Sequence, residues 1–134
     1  MDITGYWQAV LDQDAAAMRR FFAEDAVIRW HNTNECFTVD EFIRANCEYP
    51  GEWTGRQERI VRSVEYSGEC SAAKPVELIV TAMLVTTKDK RLSFHVTSFI
   101  RAVDGLITSL DEYWGDDGPA PEWRRQLNIG RPIR

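Results

Sequence analysis

Apolar residues recur at helical spacing at the start of the chain. Ile3, Tyr6, Trp7, Val10 and Leu11 mark one face and predict a helix over residues 3–12. Asp14 is a good N-cap for a second short helix, AAAMRRFF, with Met18, Phe21 and Phe22 turned inward and Glu24-Asp25 ending it. The period then changes from helical to alternating. Ala26, Ile28 and Trp30 fall on one side of a strand running to His31, with Val27, Arg29 and His31 on the other. Asn32-Thr33-Asn34 is turn chemistry, and Glu35 to Thr38 returns as a short strand. A third helix opens at Thr38 or Asp40 and runs through Cys47 on a Phe42/Ile43 stripe. Tyr49-Pro50-Gly51 closes it, and Trp53 follows in a loop.

Long strand-like runs fill the rest. Gln57 to Tyr66 carries Ile60, Val61, Val64 and Tyr66, and Ser67 to Lys74 reads as a polar loop. Pro75 to Thr87 is almost continuously apolar, as expected of a central strand covered on both faces. Lys88-Asp89-Lys90 turns the chain into Arg91 to Val103. There Phe94, Val96, Ser98 and Ile100 share one face; His95, Thr97, Phe99 and Arg101 share the other. Asp104-Gly105 is a hairpin signal. In the last strand Leu106, Thr108, Leu110, Glu112 and Trp114 alternate with Ile107, Ser109, Asp111 and Tyr113. Asp116 to Pro121 is an extended tail, and Glu122 to Leu127 suits one helical turn. Helices first and a long meander after them give an α+β fold, a cystatin-like cone in which a curved antiparallel sheet wraps around the N-terminal helices. The inside of such a cone is a natural small-molecule pocket.

Composition narrows the partners. The chain has 134 residues, 44% hydrophobic, and reads as one domain over residues 1–134. Its formal charge of -5 argues against a nucleic-acid face. No apolar run is long enough for a membrane helix and no signal-peptide core opens the chain, so the expected location is cytoplasmic, with no membrane partner. Cys36, Cys47 and Cys70 are odd in number and widely spaced; plain thiols are expected, with no disulfide, metal or cofactor. Aromatic residues make up 11% of the chain, five of them Trp, which suits a core, a pocket wall or a dimer face. Both faces of Pro75–Thr87 are apolar. If one meets the helices, the other needs cover, so a homodimer through the outer face is expected, with Thr97 and Phe99 in the interface.

Glu112 is the leading candidate for chemistry. It sits between Leu110 and Trp114 on a face that Trp30 should share. Desolvated there, it becomes a general acid or base; at the rim, it is a solvated or ion-paired acid. Tyr6 is a pocket donor or a helix-packing residue. His31 and His95 fall on the opposite face, although a bulge after Trp30 would turn His31 inward. Asn32 lines the mouth or only makes the turn. Tyr49 and Trp53 form a lid or a plug. No phosphate loop, nucleophile elbow or HExxH is present.

Three segments carry a family resemblance: RRFFAEDAVIRW, VDEFIR and DGLITSLDEYW. Together with the element order they resemble the nuclear transport factor 2-like superfamily, and within it the SnoaL-like group, over nearly the whole chain. The resemblance implies the cone fold and a range of activities, among them ketosteroid isomerases, polyketide cyclases, limonene-epoxide hydrolases, dehydratases and transport factors. In the isomerases the general base matches Trp30, which cannot take a proton. The oxyanion donors match Tyr6 and Ser98, and the final-strand aromatic matches Trp114. In the epoxide hydrolases a final-strand acid matches Glu112, but its Arg and Asp partners match Ile79 and Thr81. Neither apparatus is complete. Three readings stay open: an acid–base enzyme acting on a small apolar molecule through Glu112 and Tyr6; a non-catalytic binder of such a molecule; and a dimeric interaction module whose cone is filled by its own side chains. The ligand-contacting set expected in the first two is Trp30, Asn32, Tyr49, Trp53, Ser98, Leu110 and Trp114.

Overall fold

Short polar side chains start three helices. Asp2 accepts the Gly5 N–H at 2.9 Å and caps α1 (Ile3–Leu11); Asp14 accepts the Ala17 N–H at 3.0 Å and caps α2 (Ala15–Arg19). Thr38, rather than Asp40, caps α3 (Val39–Cys47), in a reciprocal box with Glu41. The computed structural model describes residues 1–66 and 74–133. Cys70 and most of the expected polar loop lie outside them.

The strands are β1 (Phe22–Trp30), β2 (Glu35–Phe37), β3 (Trp53–Glu65), β4 (Val76–Thr87), β5 (Ser93–Val103) and β6 (Leu106–Asp116), and a short α4 (Glu122–Arg125) follows. They form one curved sheet in the order β2-β1-β6-β5-β4-β3. Pairing is antiparallel except between β1 and β6, which run parallel. The Asp104-Gly105 hairpin is formed, with both residues at positive φ (51° and 79°), as a tight primed turn requires. The inner face carries Ile28, Ile79, Met83, Val85, Val96, Ile100 and Leu110, and packs against Ile3, Tyr6, Trp7 and Val10 of α1, Met18 of α2 and Phe42 and Ile43 of α3. Gly55 lets α1 lie close on β3, since a Cβ there would come within 2.8 Å of the Leu11 side chain. The expected α+β cone is therefore the fold.

Four boundaries differ from the sequence pattern. The second helix stops at Arg19, and Phe22 belongs to β1, because Phe22 pairs with Ile107 and the Phe21 carbonyl accepts the Ile107 N–H at 2.7 Å. Glu24 and Asp25 thus lie inside β1, in a stretch where its register against β6 shifts. Trp53 is the first residue of β3, paired with Thr87, and not a loop residue. In β6 a bulge at Thr108 resets the alternation: Ile107 is fully buried and Leu106 is 39% exposed, the reverse of the simple pattern. Beyond the bulge the parity holds, with Leu110 and Glu112 inward. Among the described residues, no helix is long and apolar enough to cross a membrane.

Candidate functional site

One row of paired residues crosses the inner face. Trp30 on β1 stands beside Glu112 on β6, which stands beside Ser98 on β5, and Ser98 beside Thr81 on β4. Glu112 is 2% exposed. Its Oε2 accepts the indole N–H of Trp30 at 2.8 Å and of Trp114 at 3.1 Å, while Oε1 accepts the Ser98 hydroxyl at 3.0 Å. Burial raises the carboxyl above its ordinary range, and these three donors pull it back part of the way. Farther along the row, Trp7 donates its indole N–H to Thr81 Oγ1 at 3.3 Å. Three tryptophans therefore spend their polar atom on buried acceptors and leave their rings to face a neighbour or a ligand.

Tyr6 lies fully buried, edge-on to Trp7, Phe21 and Phe22. Its hydroxyl has no hydrogen-bond partner among the described residues. Burial, and secondarily the charge of Glu112, pushes the phenol well above its ordinary value.

Above this floor opens a cavity of about 600 Å³, within the usual range for small-molecule sites. Trp7, Trp30, Tyr49, Trp53, Phe94 and Trp114 line it, with Val10, Leu11 and Val85 between them. The rings of Tyr49, Trp53, Phe94 and Trp114 form a belt with successive centroids 5.4, 5.8 and 6.2 Å apart. Polar lining comes from Asn32, Thr33, Glu35, Asn46 and Asp116. Asn46 is committed to the Val10 carbonyl at 2.9 Å, and Asn32 accepts the Trp114 backbone N–H.

Of the residues expected from the sequence, Trp30, Asn32, Tyr49, Trp53 and Trp114 line the cavity. Glu112, Tyr6, Ser98 and Leu110 are inward but lie beneath the wall, not on it. Trp7, Phe94, Glu35, Asn46 and Asp116 were not expected as site residues. Asp116 had a signal, since it continues the parity of Glu112 and Trp114; Trp7 sat in the helical stripe beside Tyr6. Glu35 and Asn46 had none beyond their elements. The cone is open, and its own large side chains do not fill it.

Both histidines face outward. His31 stacks on Tyr113 with centroids 4.4 Å apart and meets Asp111 at 2.8 Å; His95 meets Asp117 at 2.5 Å and Glu58 at 3.5 Å. Cys36 and Cys47 are free thiols, and Cys47 donates to the Gln13 carbonyl. Among the described residues, no cluster of three His, Cys, Asp or Glu side chains is arranged to hold a metal ion.

A curved sheet closed by N-terminal helices over such a cavity is the nuclear transport factor 2-like fold, also called ketosteroid isomerase-like, and solved structures of that fold superpose on nearly the whole chain. A proposed ketosteroid isomerase from Kribbella flavida DSM 17836 matches at TM-score 0.70 and 22% identity, covering 97% of this chain and 87% of its own. An epoxide hydrolase of the limonene-epoxide-hydrolase type from M. tuberculosis matches at 0.58 and 16% identity, covering 84% and 79%. A protein with this fold from Catenulispora acidiphila DSM 44928, solved in complex with trimethylamine, matches at 0.60 and 14% identity, covering 83% and 82%. No protein-family model and no curated protein matches the sequence.

Proposed function

We propose that this protein is a non-catalytic receptor for a small, largely apolar molecule held in the aromatic cavity. The observation that carries this reading is the state of Glu112. Both its oxygens are taken by Ser98, Trp30 and Trp114, and the two indoles stand between it and the cavity. A general acid or base must reach the proton it moves, within hydrogen-bond distance or through one water. No histidine, lysine or arginine is among the described lining residues, and the two acids that are, Glu35 and Asp116, are solvent-exposed. Fold neighbours include a proposed isomerase, an epoxide hydrolase and a trimethylamine complex, which supports small-molecule binding and leaves chemistry open.

A second reading, acid–base catalysis through Glu112 and Tyr6, has one observation in its favour. Two adjacent buried groups with raised pKa often mark a reactive centre. A thermal-shift screen of small apolar molecules separates the two readings. A ligand should raise the melting temperature, quench the tryptophan emission, lose affinity in Trp53→Ala and be recovered chemically unchanged. Conversion of the ligand, abolished in Glu112→Gln, would sink the receptor reading in favour of the enzyme.

We further propose a homodimer through the outer face of the sheet. Val61, Val80, Phe99 and Tyr113 lie there side by side and partly exposed, paired in register from β3 to β5, with Phe99 edge-on to Tyr113. Such a patch is costly to leave in water.

A further inference from the structure

The cavity is one-sided in charge. Among the described residues no lysine, arginine or histidine lines it, while the acidic residues Glu35 and Asp116 do and the carboxylate of Glu112 lies behind two of its rings. We propose, building on the receptor reading above, that the ligand carries an alkylated ammonium group, which the aromatic wall holds by its ring faces.

The argument starts from the indoles. Trp is the best of the aromatic side chains at attracting a cation to its face, because its π-system carries the strongest negative potential there. An indole that donates its N–H to a carboxylate is polarised by that bond, and electron density moves toward the ring. Trp30 and Trp114 both donate to the same oxygen of Glu112. One buried negative charge thereby enriches two rings facing the same space. The two indole N–H groups that meet Glu112 can only donate, and both act on Oε2, as suits the oxygen of an ionised carboxylate. Trp53 and Phe94 complete the belt beyond Trp114.

The same features disfavour other ligands. An anionic headgroup would meet two lining acids, with a third behind the rings, and no cation among the described lining residues. A neutral apolar ligand needs the rings but gives no reason for a buried acid behind them or for acids among the lining residues. A primary ammonium keeps strongly held water, whereas an alkylated one sheds water easily and presents methyl surface to the rings.

The test compares benzyltrimethylammonium with its neutral carbon isostere, neopentylbenzene, by calorimetric titration and tryptophan quenching. The cation should bind about tenfold more tightly or better, the size expected of desolvated cation–π contacts. That ratio should shrink in Glu112→Gln, and independently in the surface double variant Glu35→Gln/Asp116→Asn, which does not depend on the buried network for folding. Equal binding of the two probes, or tighter binding of the neutral one, overturns the proposal and leaves the apolar-receptor reading standing. An unchanged ratio in both variants also overturns it. If neither probe saturates a site and no apolar molecule in the thermal-shift screen does either, the receptor reading fails with it.

Discussion

Asp111 and Glu112 are neighbours on β6, and the sheet separates them. Asp111 points outward, its side chain 19% exposed, and meets His31 at 2.8 Å and Arg29 at 3.5 Å. Glu112 points inward and meets no cation; its partners are two indoles and a hydroxyl. On the outer face, water and basic residues meet an acid's needs, and the acid is replaceable. On the inner face three donors are aimed at one carboxylate, so removing it strands all three. One residue of strand register decides which role an acid has.

The largest expected effect breaks the inner half of this contrast. Glu112→Leu leaves the Trp30 and Trp114 N–H groups and the Ser98 hydroxyl without an acceptor. Each stranded donor costs about 1–3 kcal/mol, offset in part by no longer burying a charge, so the net loss should be about 2–4 kcal/mol. Asp111→Asn, by contrast, weakens a partly solvated ion pair and should cost at most about 1 kcal/mol. Urea unfolding of both variants checks the pair. Equal losses would mean that the two acids are structurally equivalent after all.

The next effect tests the outer face. Phe99 is 38% exposed and pairs across the sheet with Asp111. Phe99→Asp would put two acids side by side in the proposed dimer interface, and should weaken association by about a hundredfold, or about 2.7 kcal/mol. Sedimentation over a concentration series reads this directly. A wild-type chain that is already monomeric at tens of micromolar, a range set by order of magnitude for weak dimers, defeats the dimer proposal.

A smaller effect is a slope with pH. Burial raises the Glu112 pKa above that of the unfolded chain. Between those two values the folded protein holds a proton that the unfolded chain has released. Stability is therefore highest below that window and falls as pH rises through it, by at most about 1.4 kcal/mol per pH unit. Asp89 works in the opposite sense: hydrogen bonds, from the Arg91 backbone first, lower its pKa. The useful quantity is thus the difference between wild type and Glu112→Gln. Gln keeps an oxygen for the two indoles and can donate to Ser98, so the variant should fold. A difference curve flat with pH would show that Glu112 does not titrate above its unfolded range.

Much of the inner face was legible because alternation along a single uninterrupted strand is a local property. Phe94, Val96, Ser98 and Ile100 share one parity, and the last three are essentially fully buried while Phe94 lines the cavity. The inward direction of Glu112 was legible for the same reason. What alternation cannot carry is an insertion. The bulge at Thr108 exchanged Leu106 and Ile107, and no side chain there announces it. Nor does local pattern show where a ladder partner arrives: Phe22 read as helix until Ile107 was beside it, and Trp53 read as loop until Thr87 was. The depth of Glu112 was the subtler matter. Parity gave its face, but only the positions of the Trp30 and Trp114 rings put it under the cavity wall.

The smallest expected effect concerns Tyr6, and it sharpens what the inner face requires of its polar groups. Glu112 shows the rule of full satisfaction, and the Tyr6 hydroxyl breaks it, buried with no partner among the described residues. A hydroxyl stripped of water without a compensating bond costs about 1–3 kcal/mol by protein mutational data. Tyr6→Phe removes that atom and keeps the ring that packs edge-on against Trp7, Phe21 and Phe22. The variant should therefore be more stable than wild type, by about 1 kcal/mol, seen as a higher urea midpoint at unchanged slope. Ligand affinity should stay the same, because Tyr6 does not line the cavity. A loss of stability instead would mean that the hydroxyl is bonded in solution, and the neighbour then to test is Glu112, which after burial is the second cause raising the phenol's pKa. The double variant Tyr6→Phe/Glu112→Gln settles that point. Independent sites give additive changes, while a coupling of about 0.5 kcal/mol or more places the two groups in one network.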